Sequence, residues 1–300
     1  MAVSALISPS RRGTSTVNLS IIHRAALATF HTLEFRPGAT VLDAPCGNGA
    51  LVLALRGEGY DAHGLDINPE GTAPLGAAFR HADVTGPFPW PDASFDAVLS
   101  VEGIEHLENR FAYLREIHRV LKPSGTLVLT TTNVSAVRSR VRFFASGFHI
   151  RDPRPLREAS PNPMHHIALG TFPDLRYTLH TTGFALQTVG HTHVKPVSWL
   201  YAWMVPWMWV YTRMAFRKER DATQRRANLA IRSALFSKSV LFGENLLLTA
   251  RRLGPVARPG LLSRDRRAPA IVAAQVHNGD RVGPADHLGA RRAAAGTDNT

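Results

Sequence analysis

One cysteine, Cys46, among 300 residues leaves no partner for an internal disulfide and too few thiolates for a multi-cysteine zinc site. A reducing cytoplasm fits that usage. The N-terminal MAVSALISPSRRGTST lacks a charged start leading into a long apolar run, so no secretory signal is expected. The stretch between Lys195 and Arg213 holds 17 uncharged residues with Pro206 inside it, short of the roughly 20 apolar residues that span a bilayer. From Gly254 onward there is no aromatic residue, and Arg, Ala, Pro and Gly dominate. Such a composition cannot bury enough surface to order itself, so residues 254–300 are expected to be a disordered tail behind one main domain over residues 1–253.

What is present is an ordinary globular balance, 44% hydrophobic and 19% charged. The net charge of +12 is unevenly spread. Through residue 193 there are 17 Lys or Arg against 16 Asp or Glu, and from residue 194 there are 18 against 7. The second part therefore carries nearly all the excess, and such a basic appendage attracts phosphate on a membrane surface or a nucleic acid.

Helical and strand periods alternate along the chain. Residues 20–34 form an amphipathic helical pattern, Pro37-Gly38 marks a turn, and a strand follows around Val41 and Leu42. After VLDAPCGNGA comes a helix in ALVLALRGEGY, then short strands at HGLDIN, RHADV and FDAVLSV. Leu107, Phe111, Leu114, Ile117 and Leu121 recur at helical intervals up to Pro123 and Gly125, and GTLVLTTTN reads as the next strand. Beyond Asn133 the pattern loosens into a basic, proline-containing stretch as far as Pro163. Order returns with a helix and strand in FPDLRYTLHTTGFALQTV and a last strand in ENLLLTARRL, which makes residues 194–243 an insertion between neighbouring strands. Alternation at this spacing implies an α/β fold with a doubly wound, mostly parallel sheet.

In such a sheet the first strand-to-helix turn passes close to a ligand, and glycine permits the approach. Here Gly47 and Gly49 supply that turn, but Val52 stands where a dinucleotide fingerprint has its third glycine. Asp43, just ahead of the loop, would repel a pyrophosphate and would suit an ammonium or sulfonium charge. These residues resemble the first motif of the class I S-adenosylmethionine-dependent methyltransferases. The resemblance runs from about Val41 to Asn133 and returns weakly in the last two strands. It implies a Rossmann-like sheet with an antiparallel last strand. It also implies that Asp66 in GLDIN holds the ribose hydroxyls, that Asp83 in HADV meets the adenine amino group, and that Asp43, Gly47, Gly49, Val84 and Ser100 complete the cofactor site. Cys46 is expected to pack beneath the turn rather than to react.

In SVEGIEHLEN, Glu102, Glu105 and His106 stand at i, i+3 and i+4 and would share one face of a helical turn. Two carboxylates and an imidazole there could bind a divalent ion that acidifies a bound hydroxyl. Alternatively His106, with Glu102 beside it, removes the acceptor's proton directly, or the acids merely favour a helix start. The E-x-x-E-H pattern resembles that of the ubiquinone-type O-methyltransferases and small-RNA 2′-O-methyltransferases, whose further histidine after the fifth strand corresponds to His165 or His166; the candidate metal set is Glu102, Glu105, His106 and His166. A looser similarity to methyltransferases of polysaccharide pathways runs through NVSAVRSRVRFFASGFH and HHIALGTFPDLRYTLHTTGF.

Four of the five tryptophans lie in KPVSWLYAWMVPWMWVYTRMAFRKER, followed at once by Arg213, Arg217, Lys218 and Arg220. Aromatic bodies beside a basic cluster suit the lipid headgroup layer, so residues 196–220 are expected either to touch the inner membrane face or to form a lid or dimer helix. The leading expectation is an O-directed S-adenosylmethionine-dependent methyltransferase of a small hydrophobic or lipid-linked acceptor: a quinone precursor, a glycan or a secondary metabolite. An RNA methyltransferase ranks second, nucleic acid ranking lower because the apolar run is too continuous for a groove that binds it. A non-catalytic cofactor-binding subunit is the reading from another class. Oligomeric state is not legible.

Overall fold

The computed structural model describes residues 18–149, 158–160, 162 and 164–254; the expected tail lies outside the described residues. In chain order the elements are α1 (Ile21–His31), β1 (Thr40–Asp43), α2 (Ala50–Gly57), β2 (Asp61–Asp66), β3 (Phe79–His81), β4 (Phe95–Val101), α3 (Arg110–Val120), β5 (Leu121–Thr132), α4 (Val137–Ser146), α5 (Phe172–Thr181), β6 (Phe184–His191), α6 (Val205–Phe216), α7 (Ala222–Leu235), α8 (Lys238–Phe242) and β7 (Asn245–Arg252).

The seven strands form one sheet in the order β3-β2-β1-β4-β5-β7-β6. The first five pair in parallel, while β7 lies between β5 and β6 and runs antiparallel to both. This is the expected α/β, Rossmann-like architecture with an antiparallel last strand. The chain runs outward from β1 to β3 and then returns to place β4 on the other side of β1. That reversal opens a crevice at the carboxyl ends of β1 and β4, where ligands of open α/β sheets bind.

Alternation along each strand feeds two cores, because successive side chains leave a strand on opposite faces. In β4, Ala97, Leu99 and Val101 join Leu51, Val52 and Leu55 of α2 and Ala26 and Phe30 of α1. Val98 faces the other way, and the irregularity between Phe95 and Ala97 turns Phe95 to the same side; both pack with Tyr113, Leu114 and Ile117 of α3 and with Phe172 and Leu179 of α5. Local chemistry fixes the helix ends: Asn109 accepts from the Ala112 amide to start α3, and Thr171 with Asp174 forms a capping box on α5.

Three expectations need correction. The helix expected from Leu107 begins at Arg110, and it ends at Val120, before Pro123, because Leu121 already pairs with Phe95 in the sheet. The loose stretch after Asn133 contains α4, which buries Val137 and Ser139. Glu102 stands outside the short 3₁₀ turn Ile104–His106, so it does not share a helical turn with Glu105 and His106.

Between β6 and β7, the 3₁₀ segment Pro196–Met204 leads into α6, α7 and α8. Its inner side, with Tyr201, Met204, Val205 and Met208, packs on a third apolar cluster of Val137, Leu241 and Phe242.

Candidate active site

The glycine turn follows β1 directly. Gly47 has φ +52° and open space where a Cβ would be, so that side of the loop can accept a ligand. Gly49 has φ +76°, and a Cβ there would lie 2.5 Å from Cδ1 of Leu75; glycine is required both by the left-handed backbone and by this close packing. Cys46 is 5% exposed and packs in the core under α2, and burial beside Asp43 and Asp66 pushes its thiol far above the usual range. It is inert packing, as expected for a thiol held in its protonated form.

Two carboxyls frame the turn. Asp66, closing β2, accepts from the Gly47 amide at 2.7 Å and from the Asn68 amide at 2.8 Å, which ties the loop to the strand end. Each carboxylate oxygen retains accepting capacity for ribose hydroxyls. Asp43 is 2% exposed, and its Oδ1 is buried with no hydrogen-bond partner. Desolvation, then the nearby Asp66 charge, raise the Asp43 carboxyl well above its ordinary range. A buried carboxyl with an orphaned oxygen is a site that a cationic ligand would relieve.

The other expected cofactor residues are dispersed around this pair. Asp83 lies just past β3, exposed, accepting from the Thr85 amide at 2.8 Å. Val84 is buried in the α3 side of the core. The Ser100 side chain is fully buried, with its hydroxyl 2.8 Å from that of Tyr113; the one Tyr113 proton goes to the carbonyl of Ala44, so Ser100 donates to the Tyr113 oxygen. Ser100 thus steadies the floor behind Asp43. Tyr113 was not singled out in the sequence, where its position reads only as one more inward face of α3.

Beyond β4 the chain bends sharply at Glu102, which has φ +50°. The bend is followed by Gly103, where a Cβ would lie 2.3 Å from Cδ of Pro45. Only glycine lets the EGIEH loop press against the cofactor turn in this way. The Glu102 Oε1 accepts from the Thr130 hydroxyl at 3.1 Å, and its Oε2 accepts from Nδ2 of Asn245 at 2.8 Å. Glu105 is fully buried; its Oε2 accepts from the Thr131 hydroxyl at 3.0 Å, and its Oε1 has no partner. Burial, then the Glu105 charge, push the Glu102 carboxyl up to about 8.

His106 and His166 meet edge to face with ring centroids 4.8 Å apart. Nδ1 of His106 lies 3.1 Å from the carbonyl oxygen of His165; since a carbonyl only accepts, Nδ1 carries the proton and Nε2 is left with its lone pair. The buried Nδ1 of His166 has no partner. Burial chiefly lowers the His166 pKa. Ligand atoms of Glu105, His106 and His166 lie within 4.8 Å of one another. Of the four expected ligands the structure brings these three together, whereas Glu102 is committed to Thr130 and Asn245, and His165 offers its backbone oxygen to the cluster.

His166 also lines a cavity of about 280 Å³. Its other walls come from the end of β5 (Thr132, Asn133), from α4 (Arg138, Arg142), and from Ser198 and Phe242 of the insertion. The cavity thus meets the Glu105–His106–His166 cluster through His166.

A glycine turn on a buried acid, a second acid at the next strand end and a sheet ordered 3-2-1-4-5-7-6 define the class. Residues 42–129 match the family described as "Methyltransferase domain", and this segment is a methyltransferase domain of the S-adenosylmethionine-dependent kind. A Mycolicibacterium smegmatis protein named "Probable S-adenosylmethionine-dependent methyltransferase" is 30% identical over 161 residues, 52% of this chain and 56% of that one. A Xanthomonas campestris "Ubiquinone biosynthesis O-methyltransferase" is 34% identical over 106 residues, 32% of this chain and 44% of that one. Among solved structures, the Burkholderia thailandensis 1,6-didemethyltoxoflavin-N1-methyltransferase with bound S-adenosylhomocysteine aligns at a TM-score of 0.47 and 19% identity, covering 77% of this chain and 78% of that one. The chain spans about half the length, or less, of these two curated relatives.

Proposed function

We propose that the protein transfers the methyl group of S-adenosylmethionine to an oxygen of a small hydrophobic or lipid-linked acceptor. The observation that carries the reading is the pairing of Asp43, buried with an orphaned oxygen, with the open Gly47 turn, next to a histidine whose Nε2 is free to take a proton. The residues present fit the cofactor: Asp43 favours its positive charge, Asp66 accepts from the ribose, and Asp83 stands at the third strand end for the adenine amino group.

When bound, S-adenosylmethionine supplies a methyl group already activated on sulfur. What the chain must supply is alignment, worth roughly 7–11 kcal/mol in well-oriented reactions, and a destination for the acceptor's proton. Asp43, the Gly47 turn and Asp66 would hold the cofactor with its activated methyl, and Nε2 of His106 would take the proton that the acceptor oxygen releases. The Nδ1–H bond to the His165 carbonyl holds the ring in the tautomer needed and stabilises the imidazolium that forms. The buried Glu105 carboxyl, whose charge also raises Glu102, adds negative potential that favours this cation.

Glu105, His106 and His166 also fit a divalent ion, since they offer a carboxylate oxygen and a ring nitrogen that are both without partners. Such an ion would acidify an acceptor hydroxyl. The hydrophobic or lipid-linked class of acceptor is supported by the exposed apolar segment 196–214 elsewhere on the insertion; the cavity beside His166 is itself lined mainly by polar and charged side chains. Relatives named "Ubiquinone biosynthesis O-methyltransferase" and "27-O-demethylrifamycin SV methyltransferase", at 34% and 32% identity over about a third of this chain, carry acceptors of that kind in their names.

The test is to incubate pure protein and methyl-labelled S-adenosylmethionine with extract of the source cells and to separate lipids, RNA, protein and small molecules. Label in organic-extractable material is expected. Label confined to RNA would replace this reading by the RNA one. No label in any fraction, with cofactor binding intact, would favour a non-catalytic subunit.

A further inference from the structure

Among the described residues no helix is long and apolar enough to cross a membrane, yet α6 is apolar on two opposite sides. Val205, Met208 and Phe216 lie on its inward stripe and pack against the protein's apolar clusters. At helical spacing on the opposite stripe stand Trp207, Val210, Tyr211 and Met214, all exposed, and Trp203 and Leu200 of the preceding 3₁₀ segment extend the same surface. Trp207 is 73% exposed and Tyr211 74%. A water-facing helix ordinarily turns a polar face outward. A contiguous apolar patch of this kind marks an interaction surface.

The borders of the patch are cationic. No Asp or Glu occurs from Pro196 to Lys218. The groove between α6 and α7, of about 230 Å³, is ringed by Arg213, Arg217, Arg225 and Arg232 and floored by Phe216 and Leu229. Arg213 and Arg232 lie over the Trp209 ring, at 5.4 and 5.9 Å from its centroid. Among the described residues none of the four forms an ion pair. The nearest acids in the chain are engaged in the α6–α7 turn, Glu219 with the Asp221 amide and Asp221 with the Gln224 amide. Unpaired guanidinium groups around an apolar floor, beside exposed Trp and Tyr, match the layered chemistry of a lipid surface: phosphate outside and acyl chain within.

We propose that this face is a docking surface for an anionic phospholipid membrane, with α6 lying in the headgroup layer through Trp203, Trp207, Tyr211 and Met214, and the arginine groove holding lipid phosphates. The surface is separate from the cofactor turn and does not depend on the reaction assigned above. A second copy of the chain would cover the apolar stripe but would set these arginines against their own kind, which charge opposes.

Vesicles of phosphatidylglycerol mixed with phosphatidylcholine, against vesicles of phosphatidylcholine alone, test the proposal on the full chain. Four of the five tryptophans lie in this segment, so a blue shift and rise of tryptophan emission report its burial. Co-sedimentation and a blue shift are expected with the anionic vesicles, weakening as salt is raised. R217Q/R225Q should reduce the partition about 25-fold, at about fivefold for each cationic residue, and W207S/Y211S/M214S should abolish the shift. Calorimetry with S-adenosylhomocysteine on each variant shows that the fold and cofactor site survive, since none of these residues is placed there. Equal binding by wild type and both variants, or no vesicle binding, would overturn the proposal. So would a concentration-dependent dimer, or a shift produced by oligoribonucleotide, where vesicles produce none.

Discussion

Asp43→Asn separates stability from binding. The carboxyl is buried, its Oδ1 has no partner, and desolvation with the Asp66 charge raises its pKa well above that of an unfolded chain. A group whose folded pKa is raised binds its proton more tightly in the native state. Native stability is therefore greatest below the unfolded value and is lost as pH rises through the folded one. An amide of the same shape carries no charge to desolvate. Leaving a buried charged group unsatisfied costs at least about 1–3 kcal/mol, and if the amide recovers about 2 kcal/mol, Tm should rise about 4–8 °C for a domain of this size. Thermal unfolding without ligand, followed at pH 6 and pH 8.5, should show D43N melting above wild type, with the gap larger at the higher pH. Affinity should move the other way. Losing a charged contact worth about 1.5–3 kcal/mol weakens S-adenosylmethionine roughly 10- to 150-fold, whereas neutral adenosine should be little affected. If D43N melts below wild type at both pH values and binds the cofactor unchanged, Asp43 is a structural residue and the electrostatic account of the pocket fails.

His106→Ala should lower kcat by about 10²- to 10⁴-fold with cofactor affinity preserved; an equal loss of cofactor affinity would move His106 from proton transfer to cofactor binding. Glu102→Gln keeps one accepting oxygen for Thr130 or Asn245 while removing the charge. Because the Glu102 carboxyl is raised to about 8, wild-type stability should decline from the ordinary carboxyl range up to that pH, and E102Q should flatten the decline in urea titrations across pH 5–9. A parallel decline in both proteins would assign it to other groups. Gly103→Ala drives a Cβ to 2.3 Å from Cδ of Pro45, so it should cost about 1–3 kcal/mol and weaken S-adenosylhomocysteine binding by shifting the cofactor turn. Unchanged urea midpoint and affinity would show that the two loops are not packed as described.

The parts of this fold that were legible in the sequence are those whose signal is local. The β1–glycine–α2 unit shows itself in VLDAPCGNGA because Gly47 and Gly49 occupy left-handed backbone that other residues resist, and strand ends carrying Asp66 and Asp83 follow at short spacing. The insertion stands out by its tryptophans. What was not legible depends on distant contacts. Helix α4 has no side-chain cap, buries only two residues of its own, and is held by the 3₁₀ segment and α8 from more than fifty residues away. The bend at Glu102 arises where Gly103 meets Pro45, and its hydrogen-bond partners, Thr130 and Asn245, read in sequence as ordinary strand residues. Asn245 reaches Glu102 because β7 runs antiparallel to β5, with Asn245 opposite Thr132. His166 entered the expected set only through the family resemblance, because its meeting with Glu105 and His106 depends on the chain returning past α4.

The most direct measurement is isothermal titration of the purified full chain with S-adenosylmethionine, and separately with NADH, at neutral pH and low salt. The account predicts a one-to-one heat with the sulfonium nucleoside, abolished by Asp66→Ala in protein that still unfolds cooperatively, and none with the dinucleotide. A clear heat with NADH and none with S-adenosylmethionine would contradict it.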